Sequence, residues 1–210
     1  MKRVLIADDH ALMRKGLRET LEDELGPMTF GEADNATQAL ELVWKSKWDL
    51  VLLDINMEGR SGLEALEEIR KARPKLPVLI LSMYPEQDFA VRALKAGASG
   101  YVSKRLASDE LVAAVKKVLE GGRYISPAVA DQLAADLNRE SHAAPHHSLS
   151  NREFQIMRMI AAGKTLKEIA AELSISVKTV GTYHGRLLAK MAMSSDIELT
   201  RYALANKLVE

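Results

Sequence analysis

Cysteine is missing from all 210 residues, and with it every disulfide framework, thiolate nucleophile and zinc knuckle. Net charge is missing as well: 29 Lys and Arg balance 29 Asp and Glu, so the overall charge points neither to nucleic acid nor to a membrane. Long apolar runs are absent. The run Val4-Leu5-Ile6-Ala7 stops at Asp8-Asp9, too short for the apolar core of a secretion signal, and none approaches the length that crosses a bilayer. Repeats and low-complexity tracts are also lacking. These absences lead to the expectation of a cytoplasmic protein with no membrane partner. What is present is an ordinary globular composition, 47% hydrophobic and 28% charged, on a chain comfortable for two domains. The balanced charge hides an asymmetry. From Ser148 to Glu210 there are 9 Lys and Arg against 6 Asp and Glu, a mildly basic tail behind a mildly acidic front.

The chain is organised around Leu50-Val51-Leu52-Leu53-Asp54. A continuous apolar run reads as a strand buried on both faces of a parallel sheet. An ionised carboxylate cannot stay inside such a strand unpaired. Asp54 therefore belongs at the strand's C-terminal end, where open α/β sheets place their ligand crevices. Similar short strands are expected at Val4 to Ala7, Met28 to Ala33, Pro77 to Ser82 and Ser99 to Ser103. Helices are expected between and after them. The first turns Leu12, Leu17, Leu21 and Leu25 inward, and the others cover Ala36 to Lys45, Gly62 to Arg73, Glu86 to Ala96 and Ser108 to Glu120. Five strands alternating with five helices predict a doubly wound, five-stranded parallel α/β sheet over residues 1–122.

Past Gly122 the alternation stops. Residues 123–147 read as a linker with a lone helix over Pro127 to Asn138, and Glu140 to Ser148 has nothing to bury. Residues 148–210 read as a small all-α domain. Asn151 to Ala162 packs through Phe154, Ile156, Met157 and Ile160. Thr165-Leu166-Lys167-Glu168 is a capping box opening the next helix, Ser176 caps a helix from Val177 to Met191, and Ser195-Asp196-Ile197-Glu198 is a further capping box. The helix from Thr165, the short turn at Ser174 and the helix from Val177 outline a helix-turn-helix, with Ile169, Leu173, Ile175, Val180, Leu187 and Met191 inside. The second helix carries Lys178, Thr182 and Arg186 on its outer face, with Gly181 and Gly185 on the same side. Cations for phosphates beside hydroxyls and small residues suit a helix that reads double-stranded DNA.

In a sheet ordered 2-1-3-4-5 the strands ending at Asp8-Asp9 and Asp54 are neighbours at the topological switch point. Carboxylates gathered there repel unless a hard cation joins them, and Mg2+ suits oxygen ligands and accepts phosphate oxygens. Ser82 ends the fourth strand with a hydroxyl donor, and Lys104 follows the fifth with a point charge for phosphate. A carboxylate in this setting can attack an in-line phosphoryl donor and become an aspartyl phosphate.

Asp8-Asp9, Asp54, Ser82 and Lys104 together resemble bacterial two-component receiver domains. Leu149-Ser150-Asn151-Arg152-Glu153, Gly163-Lys164-Thr165 with Lys167-Glu168-Ile169-Ala170, and Val177-Lys178-Thr179-Val180 resemble the LuxR-type DNA-binding domain. The whole chain is thus similar to a NarL/FixJ-family response regulator. The resemblance implies that Asp54 accepts phosphate from a sensor histidine kinase, that Asp8, Asp9, Asp54 and the Asn56 carbonyl bind Mg2+, and that Ser82 and Tyr101 form the switch pair. It also implies DNA contacts from Lys178, Thr179, Gly181, Thr182, Gly185, Arg186 and Lys190, and a homodimer through Leu199, Tyr202 and Ala203. A regulator of transcription rather than an enzyme follows, with RNA polymerase as a candidate partner. By the same resemblance Asn56 and Tyr84 line the route of attacking water. The chain departs from the pattern at Arg105, where receivers often carry proline, and at Gly181, His184 and Gly185. Two rivals remain at this point. A haloacid-dehalogenase-type phosphatase wants a second aspartate where Asn56 stands, and a phosphorylation-independent interaction module would not need the acidic pocket.

Overall fold

The computed structural model describes residues 1–57, 59–83, 86–104, 108–138, 144–206 and 208–209. It divides into two compact units, 1–135 and 136–210. In the first, β1 (Arg3–Ala7), β2 (Thr29–Ala33), β3 (Leu50–Asp54), β4 (Val78–Ser82) and β5 (Gly100–Ser103) form one sheet ordered β2-β1-β3-β4-β5. Every pairing is parallel, as the strand-helix alternation requires. The crossovers are α1 (Ala11–Leu25), α2 (Ala36–Lys45), α3 (Gly62–Ala72) and α4 (Glu86–Lys95), and α5 (Ser108–Leu119) follows β5. Central strands β3 and β4 are buried along their whole length, which is why their sequences are continuous apolar runs rather than alternating ones.

One face of the sheet packs Val4, Ile6, Leu50, Leu52, Leu79, Leu81 and Val102 against α1 and α5. The α1 face that does this is Met13, Leu17, Leu21 and Leu25, an i, i+4 series. Leu12, expected inward, is 83% exposed. It lies five residues from Leu17, which turns it well away from that stripe at 3.6 residues per turn.

Chain past Gly122 stays with this unit. Tyr124 N–H donates to the Ser99 carbonyl at 2.9 Å, its hydroxyl donates to Glu110 at 2.6 Å, and Ser126 bonds Glu86. Burial, the hydrogen bond to Glu110 and the nearby Glu86 charge all push the Tyr124 phenol well above its ordinary value. Val129 of α6 (Pro127–Asn138) is buried.

The second unit is helical: α7 (Asn151–Ala161), α8 (Leu166–Glu172), α9 (Val177–Met191) and α10 (Asp196–Ala205). Ser150 and Thr165 each close a full capping box, satisfying helix-end N–H groups in both directions. The box expected at Ser195 is only half made. Ser195 accepts from Glu198 N–H, but the Glu198 carboxylate turns to the Ser194 N–H at 2.7 Å. Pro145–Ser148, read from sequence as linker, form a 3-10 turn. Its His146 bonds the Tyr202 hydroxyl at 2.7 Å and packs beside Phe154, so this stretch does find something to cover. Between α8 and α9, Ser174 takes φ 50°, the left-handed conformation that turns one helix into the next.

Candidate functional site

Register brings the acidic residues together. Ala7 pairs with Leu53 and Asp54 with Leu81, so β1, β3 and β4 end at nearly one level. Asp8 is fully buried and Asp54 nearly so. Ligand atoms of Asp8, Asp9, His10 and Asp54 all lie within 4.8 Å of one another. The Asp54 carboxylate accepts from Asn56 N–H at 3.1 Å on one oxygen and from Lys104 Nζ at 2.7 Å on the other. Lys104 Nζ also lies 2.6 Å from Asp8 Oδ2. One buried ammonium therefore bridges two buried carboxylates.

Burial is the largest influence on Asp54 and pushes its carboxyl above the ordinary value. The Asp8 charge pushes the same way, while Lys104 offsets part of the rise. Burial alone would lower the Lys104 ammonium, but Asp54 and Asp8 outweigh it and hold it above its usual value. The cluster thus holds more negative charge than its one lysine compensates. Its donors are hard oxygens, and this set fits a hard divalent cation.

Neighbouring main chain holds the pocket in place. The Lys104 N–H donates to the Ser82 carbonyl at 2.7 Å, tying the two phosphate-facing candidates together at the ends of β4 and β5. Ser82 is fully buried, and Tyr101 is buried in register with Ile80. α3 begins hard against β3: a Cβ on Gly62 would lie 1.8 Å from the Asp54 carbonyl oxygen, so only glycine permits that approach. His10, read from sequence as a loop histidine, lies with Nδ1 2.6 Å from Asp9 and 3.3 Å from Asp8, its side chain 72% exposed. Tyr84 and Arg105 lie outside the described residues, and with them the Lys104–Arg105 peptide.

Sequence reasoning passed over Arg14, whose guanidinium donates to the Asp8 carbonyl at 2.7 Å and to Glu32 at 3.0 Å. Gly62 was also passed over. The only sequence signal for Arg14 is its place one turn after the acidic loop.

In the second unit Lys178, Thr179, Thr182, Gly185 and Arg186 of α9 are exposed or half-buried, as is Gly181. The inner residues Val180, Leu187 and Met191 are buried, as their spacing predicts. The Thr182 hydroxyl donates to the Lys178 carbonyl, and Thr179 shares a hydrogen bond with the capping Ser176. Lys190 donates to the buried Glu153 of α7 at 2.7 Å and so fastens α9 to α7. His184 lies 2.6 Å from Asp196 of α10. The homodimer residues taken from the resemblance need correction. Leu199 and Ala203 are fully buried in their own unit, and Tyr202 is engaged by His146. The large apolar residues of α10 open to solvent are Ile197 (73%) and Leu204 (52%), because α10 uses its other face to cover α7.

An acid-ended parallel sheet followed by a helix-turn-helix defines a class of protein, the two-component response regulators. The response regulator receiver domain model matches residues 4–116, and the model for bacterial regulatory proteins of the luxR family matches residues 147–203. The chain is 38% identical over 211 residues to the response regulator GacA of Pseudomonas aeruginosa, covering 100% of this chain and 99% of GacA. It is 38% identical over 209 residues to the response regulator UvrY of Escherichia coli, covering 99% and 96%. A solved structure of two RcsB dimers bound to two parallel DNAs superposes with a TM-score of 0.58 at 25% identity, covering 96% of this chain and 97% of that one. The chain belongs to the NarL/FixJ family of response regulators, in which a receiver domain is joined to a LuxR-type DNA-binding domain. It is a regulator of transcription in a two-component system, not a conventional enzyme. Among its described residues no helix is long and apolar enough to cross a membrane.

Proposed function

We propose that Asp54 accepts a phosphoryl group from a phosphorylated histidine of a sensor kinase, and that this modification switches dimerisation and promoter binding. The observation that carries the reading is the Lys104 ammonium, 2.7 Å from Asp54 and 2.6 Å from Asp8 inside a buried acidic pocket. An Asp54 oxygen attacks phosphorus in line, the P–N bond breaks, and the departing imidazole nitrogen keeps the electron pair and takes up a proton. Lys104 offsets charge on the equatorial oxygens, and the Ser82 hydroxyl donates to one of them. Mg2+, held by Asp8, Asp9, Asp54 and the Asn56 carbonyl, supplies the remaining positive charge when bound. The receiver catalyses its own phosphorylation in this sense, and water attack on the anhydride returns Asp54. Ser82 moving toward the phosphoryl group and Tyr101 following it form the switch, a two-state element biased by one charge-changing modification.

On the second unit, Lys178 and Arg186 hold phosphates, while Thr179 and Thr182 sit near base edges beside Gly181 and Gly185. Lys190 acts through its bond to Glu153, seating α9 against α7. RcsB binds DNA as dimers, and in this chain the exposed Ile197 and Leu204 of α10 supply an apolar dimer contact, matching two half-sites by symmetry. The cytoplasm, where promoter DNA and RNA polymerase are found, is the compartment this activity needs.

The test is intact mass after acetyl phosphate with MgCl2. The wild-type chain gains one phosphoryl group and Asp54→Asn gains none. An equal gain in the variant refutes Asp54 as acceptor, and turnover of phosphomonoesters would point to a phosphatase instead.

A further inference from the structure

Asp8 is wholly buried where the strand ladder runs out. Its N–H is satisfied by the Ala33 carbonyl at 3.0 Å. Its carbonyl accepts from Arg14 Nη1 at 2.7 Å, and the same guanidinium donates through Nε to Glu32 of β2 at 3.0 Å. The Arg14 side chain is only 15% exposed. A guanidinium is a rigid planar fork, so two donors engaged by a main-chain carbonyl and a carboxylate leave it little freedom. The carbonyl it grips belongs to the planar peptide joining Asp8 to Asp9. With the Asp8 N–H held by Ala33 on the other side, holding that plane restricts how the Asp8 side chain leaves the main chain and sets where the Cα of Asp9 lies.

We propose that Arg14, anchored by Glu32, is a positioning residue for the acidic pocket: it orients the Asp8–Asp9 peptide and so sets the pocket's affinity for Mg2+. The role rests on the reading of that pocket as a Mg2+-assisted phosphoacceptor site. Arg14 bonds the Asp8 main chain and not a carboxylate of the pocket, so it adds no ligand. It does add a positive charge beside the site, which by Coulomb's law alone opposes a divalent cation. The two effects have opposite signs, and the measurement separates them. If Arg14 acts by charge, removing it tightens Mg2+ binding and a lysine in its place changes nothing. If it acts by position, both replacements weaken binding, because neither methionine nor a single ammonium spans both acceptors with a fork's geometry.

The experiment is calorimetric titration of the full chain with MgCl2, comparing wild type, Arg14→Met, Arg14→Lys and Asp8→Asn. Loss of a group that orients metal ligands weakens affinity about 10-fold to 100-fold, and about tenfold is expected for both Arg14 variants. In acetyl phosphate labelling the Mg2+ concentration for half-maximal rate should rise by the same factor while the rate at saturating Mg2+ stays near wild type. Mg2+ binding in both variants as tight as wild type, or tighter, overturns the proposal. Should Arg14→Met fail to fold, Arg14→Lys, which keeps the charge and most of the stem, decides alone. A wild-type chain showing no Mg2+ binding that Asp8→Asn removes would overturn the pocket reading and the positioning role together. Normal wild-type binding with unchanged Arg14 variants overturns the positioning role only.

Discussion

Asp54 and Glu153 are both buried carboxylates bonded to a lysine, yet their environments push them in opposite directions. At Asp54 burial and the Asp8 charge win over Lys104. At Glu153 burial works upward too, but the Lys190 hydrogen bond and the Ser150 donors outweigh it, and the carboxyl falls below its usual value. Glu153 should therefore stabilise the second unit at neutral pH. An acid depressed on folding contributes fully above its unfolded value, about pH 4.3, and loses the contribution as pH falls through its folded value. Glu153→Gln should lower stability by about 1–3 kcal/mol at pH 7, with the difference from wild type shrinking below about pH 4. Thermal melts of both proteins from pH 7 to about pH 3.5 check this, and a constant difference would refute it. Asp54, Asp8 and Asp9 were legible in the sequence because a carboxylate that ends a continuous apolar run must lie where a buried strand emerges from the core. Arg14 was not, since it touches a carbonyl 6 residues away and a side chain 18 residues away, separations with no periodic signature.

Among the elements, α9 keeps two glycines on the outer side proposed to face DNA. A Cβ added at Gly181 or Gly185 meets nothing within 4 Å, so each costs the free helix stability without relieving any crowding there. Gly181→Ala with Gly185→Ala should stabilise the second unit by about 1 kcal/mol per site, read by denaturant unfolding. If the glycines serve close approach to the groove, the double variant loses operator affinity, measured by fluorescence anisotropy with operator DNA. Unchanged affinity would make them merely soft positions. Helix ends were predicted well wherever a side chain caps its own helix, as at Ser150, Thr165 and Ser176. At Ser195 the helix begins as expected, but the return half of the box is lost because the Ser194 N–H competes for the Glu198 carboxylate. Leu12 failed for a related reason: leucine spacing named a stripe, but Met13 filled the inward position.

For the whole molecule, the proposed function requires a signal at the end of β3 to reach α9 in a separate compact unit. The α10 residues Ile197 and Leu204 are seven positions apart, two turns on one exposed face. Ile197→Glu with Leu204→Glu should leave Asp54 phosphorylation intact while abolishing phosphate-dependent dimers in sedimentation. Half-site pairing on DNA should weaken at least about tenfold, the equivalent of about 1.4 kcal/mol. Dimers that persist in this variant would place the contact elsewhere.

By itself the sequence determined the alternation of strands and helices, the two-part organisation and the acidic residues at the strand ends. Those follow from period, run length and the cost of burying charge, all of which act over a few neighbouring residues. Only the tertiary structure decided which face of α10 is free, that Lys190 is fastened to Glu153, and that Arg14 grips the loop carrying Asp8. Each of these is settled by which groups meet across elements, and a partner brought in by folding leaves no mark on the local pattern of either residue.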